Sequence, residues 1–231
     1  MTRKILSIVG VVLIICAFQS CSPSPEQNLL KRYFHAISLN DAQTMATMSL
    51  EPLMIEAESW EITNVSEELE VAATLPELNT TELELKKNLE DSVATTLNAS
   101  DELDNAKFEH ENARTGSARR AAMNKVNELQ TKYDEIYAAH KDLQKQYNEA
   151  KAASTKEEEV TSFSIGAGDL PTIREMQGTM YAKEVDVKCT TSDGSARNYK
   201  VFMRRYVLED ELTNLTRRGR WIITNFDTPN D

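Results

Sequence analysis

The sequence predicts an α+β protein: a small antiparallel sheet packed by N-terminal helices and interrupted by a long antiparallel helical hairpin with coiled-coil packing. Three observations carry this. No proline lies between Pro76 and Pro171 and no glycine between Gly10 and Gly116, so a long central stretch can only be helix or disorder. Within it, an apolar seam steps by 3.5 residues over four heptads, the mark of a helix packed on a helix. On both sides, shorter segments alternate apolar and polar residues with the period of half-buried strands. The chain has 231 residues, 40% of them hydrophobic, with a net charge of −11. That is too polar for a multi-span membrane protein. Its sign argues against a nucleic-acid partner, whose phosphates would be repelled.

The N-terminus reads as an address. Met1-Thr-Arg-Lys4 gives a positive start, and Ile5 to Phe18 is an apolar run of 14 residues. At about 1.5 Å per residue it falls short of the roughly 30 Å hydrocarbon core. A basic start, a short apolar stretch and a small residue before a breakpoint make a secretory signal. Here the small residue is Ser20, followed at once by Cys21. This segment resembles a bacterial lipoprotein signal, although Phe18 stands where that family usually has Leu. The resemblance implies that residues 1–20 are a lipoprotein signal peptide and that 21–27 form a lipidated cysteine and short tether. It also implies a location in the bacterial cell envelope, anchored to a membrane by lipid and facing the periplasm or exterior. The competing reading is an uncleaved anchor helix ending at Cys21. The covalent lipid on Cys21 is the only cofactor expected. Cys16 then leaves with the signal and Cys189 remains alone; in phase with Val185 and Val187, it reads as a small buried hydrophobe.

The first flank opens on Glu26–Leu39, whose Leu29, Leu30, Tyr33, Phe34 and Ile37 form one apolar helical face. Asn40-Asp41 caps a second short helix bearing Met45 and Met48, and Glu58–Thr63 alternates as a strand. The hairpin follows. Thr74-Leu-Pro76-Glu77 has capping-box spacing with proline near the first turn. The arms are expected over about 77–113 and 117–154, turning at Gly116. Along the second arm Ala122, Val126, Leu129, Tyr133, Ile136, His140, Leu143, Tyr147 and Ala150 step alternately by four and three. Folding back at Gly116 pairs residues whose numbers sum to about 232, which sets Leu103 against Leu129 and Leu89 against Leu143. One layer breaks the apolar pattern: His140 faces Ser92. It reads either as a pH-sensitive or metal site or as a register-fixing polar layer, and no second ligand on that face favours a metal. The histidines are three and scattered, and no metal site is expected.

Three further strands are expected over Thr179–Thr191, Arg197–Leu208 and Gly219–Phe226, with a turn at Ser192–Ser195. Trp60-Glu-Ile-Thr-Asn-Val65 and Trp221-Ile-Ile-Thr-Asn-Phe226 agree at four of six positions, as two strands meeting one environment would. Neither flank alone makes a convincing core, so residues 28–70 plus 161–231 are assigned to one α+β head and 71–160 to an inserted coiled-coil hairpin. The aromatic helix at 29–42, its Asn-Asp break and the closing Arg218-Gly-Arg-Trp-Ile-Ile-Thr-Asn-Phe226 strand resemble the nuclear transport factor 2-like, cystatin-like α+β fold. That resemblance implies a cone-shaped pocket, used catalytically in some members. His35 has no acidic partner in register and Asp41 lies at a helix cap, so no catalytic residue is carried over.

Charge singles out the hairpin tip. Residues 66–113 carry 13 acids and three bases, and residues 114–160 eight and nine. Arg114, Arg119 and Arg120, close to Gly116, form the basic cluster of the hairpin. They could recognise carboxylates or phosphates, or merely pair with Glu109 and Glu111 across the turn. The expected function is that of a non-enzymatic, membrane-anchored scaffold or interaction module, with a protein partner or self-association through the hairpin. The alternative is a small-ligand-binding or enzymatic pocket in the head, with the hairpin as lid or dimerisation arm. An efflux-adaptor-like organisation also places a helical hairpin within β structure, but the flanks lack paired glycine-rich lipoyl-like halves.

Overall fold

A computed structural model of the chain describes residues 24–166, 170–210 and 214–227. The fold is α+β: a curled antiparallel sheet together with two long, mutually packed helices. The described elements run α1 (Pro25–Ser38), α2 (Ala42–Ala46), β1 (Ser59–Val65), β2 (Leu69–Ala72), α3 (Leu75–Glu111), α4 (Gly116–Ile165), β3 (Gln177–Thr190), β4 (Ala196–Asp210), β5 (Leu215–Arg218) and β6 (Ile222–Asp227), with a short 3-10 turn at Ile173–Glu175. Among the described residues six strands form one sheet in the order β1-β3-β4-β5, with β2 also pairing β3 and β6 also pairing β4. The described residues form two compact units: those within Met1–Val71, Met180–Tyr206 and Gly219–Asp231 make the first, those within Ala72–Thr179 and Val207–Arg218 the second.

In the first unit α1 starts on Pro25 behind the Ser24 N-cap and ends where Asn40 takes a left-handed conformation, φ 52°. Asp41 caps α2: its carboxylate accepts the Thr44 hydroxyl at 2.5 Å and the Thr44 N–H at 3.0 Å. These bonds hold the Asp41 carboxyl below the usual carboxylate range. The apolar face of α1 packs Leu29, Leu30, Tyr33 and Phe34 against Val185, Val187, Cys189, Val201 and Met203 of the sheet. Phe34 stacks on Trp60 with centroids 4.7 Å apart, and Tyr33 meets Phe226 at 5.3 Å. The fully buried Tyr33 hydroxyl accepts the Leu53 N–H at 2.8 Å and donates to the Leu53 carbonyl at 3.0 Å, fixing the loop after α2.

The likeness between residues 60–65 and 221–226 has a structural cause. In β1 the register against β3 slips between Ile62 and Asn64, leaving Thr63 as the extra residue. In β6 it slips against β4 between Ile223 and Asn225, leaving Thr224 extra. Each bulged threonine donates its hydroxyl to a carbonyl of the neighbouring strand at 3.2 Å, Thr63 to Asp186 and Thr224 to Phe202. The bulge resets the alternation. Ile62 and Val65, and likewise Ile223 and Phe226, therefore all join the core despite three-residue spacings.

In the second unit the hairpin arms have 37 and 50 residues, about 55 and 75 Å of helix. Two expectations are corrected. Thr74 does not cap α3: its backbone is already helical, φ −85° and ψ −15°, and its side chain makes no cap bond. The entry to α3 is set instead by the Ala73 N–H, which donates to the Gly178 carbonyl at 2.9 Å. And α4 continues eleven residues past 154, to Ile165, where Gly166 closes it with a left-handed φ of 65°. No glycine or proline interrupts that extension.

Candidate functional site

The arms of the hairpin meet in the expected register. Ser92 Oγ lies 2.8 Å from His140 Nδ1. The same hydroxyl donates to the Leu89 carbonyl at 2.7 Å, which assigns the Nδ1 proton of His140 to the bond with Ser92. The layer is thus satisfied across the seam. Further along, Lys132 pairs with Glu102 and Lys125 with Glu109, each at 2.9 Å.

This last pair decides the state of the tip. Glu109 is engaged by Lys125, not by Arg119 or Arg120. Among the described residues no ion pair is made by Arg114, Arg119 or Arg120, and all three are exposed. The Arg120 Nε makes one long bond, 3.4 Å, to the Gly116 carbonyl. The turn is held from the other side: Thr115 caps α4, its hydroxyl accepting the Ala118 N–H at 3.2 Å. The Asn112 side chain donates to the Phe108 carbonyl at 2.8 Å. Phe108 and Met123, whose numbers sum to 231, stand at one height on opposite arms and are 67% and 46% exposed. The tip therefore combines free guanidiniums with uncovered apolar side chains on a well-capped turn.

Two polar clusters escaped the sequence reading. In the second unit the seam continues past Ala150 through Ser154, Glu157, Thr161 and Ser164, still stepping by four and three but with polar residues, all buried. The Ser154 hydroxyl donates to Glu82, and Arg174 bridges Glu82 at 2.8 Å and Glu158 at 2.7 Å. Those two carboxylates hold the Arg174 guanidinium above its ordinary range, Glu158 most strongly. The Thr161 hydroxyl is buried without a partner. In the first unit Lys183 lies 3.4 Å from Glu26 and 3.3 Å from Glu68, and 5.4 Å above the Trp221 ring. Arg205 sits between Tyr181 and Trp221, 4.5 and 5.3 Å from their centroids. Burial alone would raise the Glu26 carboxyl; hydrogen bonds from its own backbone and Ser24, with the Lys183 charge, outweigh it and hold the group low. The partners lie up to 157 residues apart, so no local motif could announce this cluster.

Cys189 is buried, and burial pushes its thiol up to about 11. That makes it a poor nucleophile near neutrality. Cys21, the expected lipidation site, lies outside the described residues, as do the signal segment, Ser22 and Pro23; the rest of the expected tether, 24–27, is instead the N-cap and first turn of α1. Among the described residues no group of three or more His, Cys, Asp or Glu is placed to hold a metal ion, and no helix is long and apolar enough to cross a membrane. No protein-family model, curated protein or solved structure matches the chain.

Proposed function

We infer that this protein is a non-enzymatic, membrane-anchored scaffold of the bacterial cell envelope that engages a partner through the tip of its helical hairpin. The observation that carries the reading is the tip itself: three exposed arginines without ion-pair partners, beside exposed Phe108 and Met123. Unpaired guanidiniums next to uncovered aromatic and methionine side chains have the composition of binding hot spots. The packing of the head supports the same choice. Tyr33, Phe34 and Phe226 fill the space between α1 and the sheet, where the alternative reading needs a ligand cavity with converging polar groups. The anchor is supported by sequence alone, through Ser20-Cys21 after a short apolar run. Two or three acyl chains on Cys21 would hold the protein stably where one would be marginal.

The contact is tested by replacing Arg114, Arg119 and Arg120 together with Ser and comparing crosslinked partners, protein or lipid, in native envelopes. Surface charges without ion pairs add little to stability. The expected result is lost crosslinks with a melting temperature within a degree or two of the parent; an unchanged crosslinking pattern removes the reading. The anchor is tested separately by Cys21→Ser. This variant should be released from the membrane or keep its signal segment, and it refutes lipidation if it stays membrane-bound at the processed size.

A further inference from the structure

The tip points to its partner's chemistry. On the first two turns of α4, Ser117-Ala-Arg-Arg-Ala-Ala-Met123 alternates arginine with small and apolar residues, and Phe108 stands beside it on α3. All of Arg114, Arg119, Arg120, Phe108 and Met123 face solvent to a large extent. Local charge is positive: Glu109 is neutralised by Lys125 and Asp104 by Lys107, so Glu111 alone opposes the three arginines. The acidity of the arm does not reach the tip. Among the described residues the next acids outside an ion pair are Glu128, eight residues past Arg120 on α4, and Asp101, ten before Glu111 on α3, about 12 and 15 Å along the helices, both beyond the roughly 8 Å screening length at physiological salt. A convex, cationic end with protruding apolar side chains needs no complementary pocket; it needs an anionic surface with an apolar layer just beneath. A bilayer rich in anionic lipid is such a surface: phosphates accept bidentate guanidinium bonds while Phe and Met enter the headgroup boundary.

We propose that the hairpin tip docks on an anionic bilayer surface, with Arg114, Arg119 and Arg120 binding headgroup phosphates and Phe108 and Met123 entering the interface. This rests on the reading of the hairpin tip as the contact element. The bilayer can be the one that carries the anchor or a second one facing it; the lipid chemistry is the same.

The test uses the processed, lipidated protein carrying Ser117→Cys, labelled with an environment-sensitive nitrobenzoxadiazole dye. Cys189 is buried and Cys21 acylated, so the label goes to the tip. The protein is reconstituted into phosphatidylcholine vesicles, or into vesicles also containing phosphatidylglycerol, and protein-free vesicles of either kind are then added. Docking predicts a blue shift and a gain of emission in one of two arms. On reconstitution into the anionic vesicles it identifies the anchoring bilayer; on adding anionic vesicles to the zwitterionic preparation it identifies a facing one. Either signal should be lost at high salt, in Arg114→Ser/Arg119→Ser/Arg120→Ser, and in Phe108→Ser/Met123→Ser. A dye that stays water-like in both arms overturns the proposal, as does a shift that survives loss of the arginines. Envelope crosslinks lost in the arginine variant without any response to protein-free vesicles would keep the hairpin reading and discard the bilayer in favour of a protein. Crosslinks unchanged as well would remove both.

Discussion

At the scale of single residues, Tyr33 ties α1 to the loop that follows α2. Its hydroxyl serves both the N–H and the carbonyl of Leu53, so Tyr33→Phe leaves two backbone groups unpaired in a partly buried place. The expected cost is about 1–3 kcal/mol in denaturant unfolding. Burial also pushes the phenol from 10.0 up to about 12, because a phenolate is disfavoured there. Its protonated form is bound more tightly in the folded state, so the contribution is complete below pH 10 and is lost as pH rises towards 12 and beyond. Two pH units correspond to roughly 3 kcal/mol. Stability measured at neutral pH and across the alkaline range should fall for the parent and fall less steeply for Tyr33→Phe. Equal slopes would show that Tyr33 does not ionise with unfolding. Cys189 adds a loss of the same sign and similar size that sets in about one pH unit lower, from 9.0 up to about 11, and remains in both proteins.

At the scale of elements, legibility followed hydrophobicity. The seam from Ala122 to Ala150 was readable because apolar residues repeat there, and the pairing of Ser92 with His140 came from the same arithmetic. Past Ala150 the spacing persists through Ser154, Glu157, Thr161 and Ser164, but no apolar contrast marks it, so the last eleven residues of α4 could not be read from pattern. Strands β2 and β5, four residues each, were missed for a related reason: their described positions are mostly exposed and carry little alternation. At the tip, the residue types were legible but not their state, since freeing the arginines depended on which cation Glu109 would choose. The polar end of the hairpin makes its own prediction. Arg174→Met leaves Glu82, whose side chain is 12% exposed, without its cation. Removing one partner of a largely buried pair costs about 3 kcal/mol, which thermal melting should register as a clear loss. Glu82→Gln in the same background should restore part of it by removing the uncompensated charge; a variant that melts like the parent would mean that water serves Glu82 as well as arginine does.

At the scale of the molecule, the question is how much of the hairpin the rest of the fold requires. The arms pack mainly on each other, and closing a loop costs only slowly more with its length, so a shortened hairpin should be tolerated. Where it is shortened should matter. Joining Leu89 to Leu143 through a short turn removes residues 90–142 between register partners and spares Glu82, Ser154, Glu158 and Arg174. Removing residues 77–154 takes Glu82 and Ser154 away and leaves Arg174 with Glu158 alone. The shorter deletion is expected to keep the β signal in circular dichroism and a single cooperative melt. The longer one should melt several degrees lower, because the buried ends of α4 lose their partners. Both truncated proteins lack the tip and should yield none of the tip-dependent crosslinks. Loss of the sheet in the shorter deletion would mean that the distal coiled coil, by holding the two arms together, is itself needed to form the polar cluster. In that case the hairpin belongs to the folding unit of the protein, and its length is set by stability as much as by what the tip contacts.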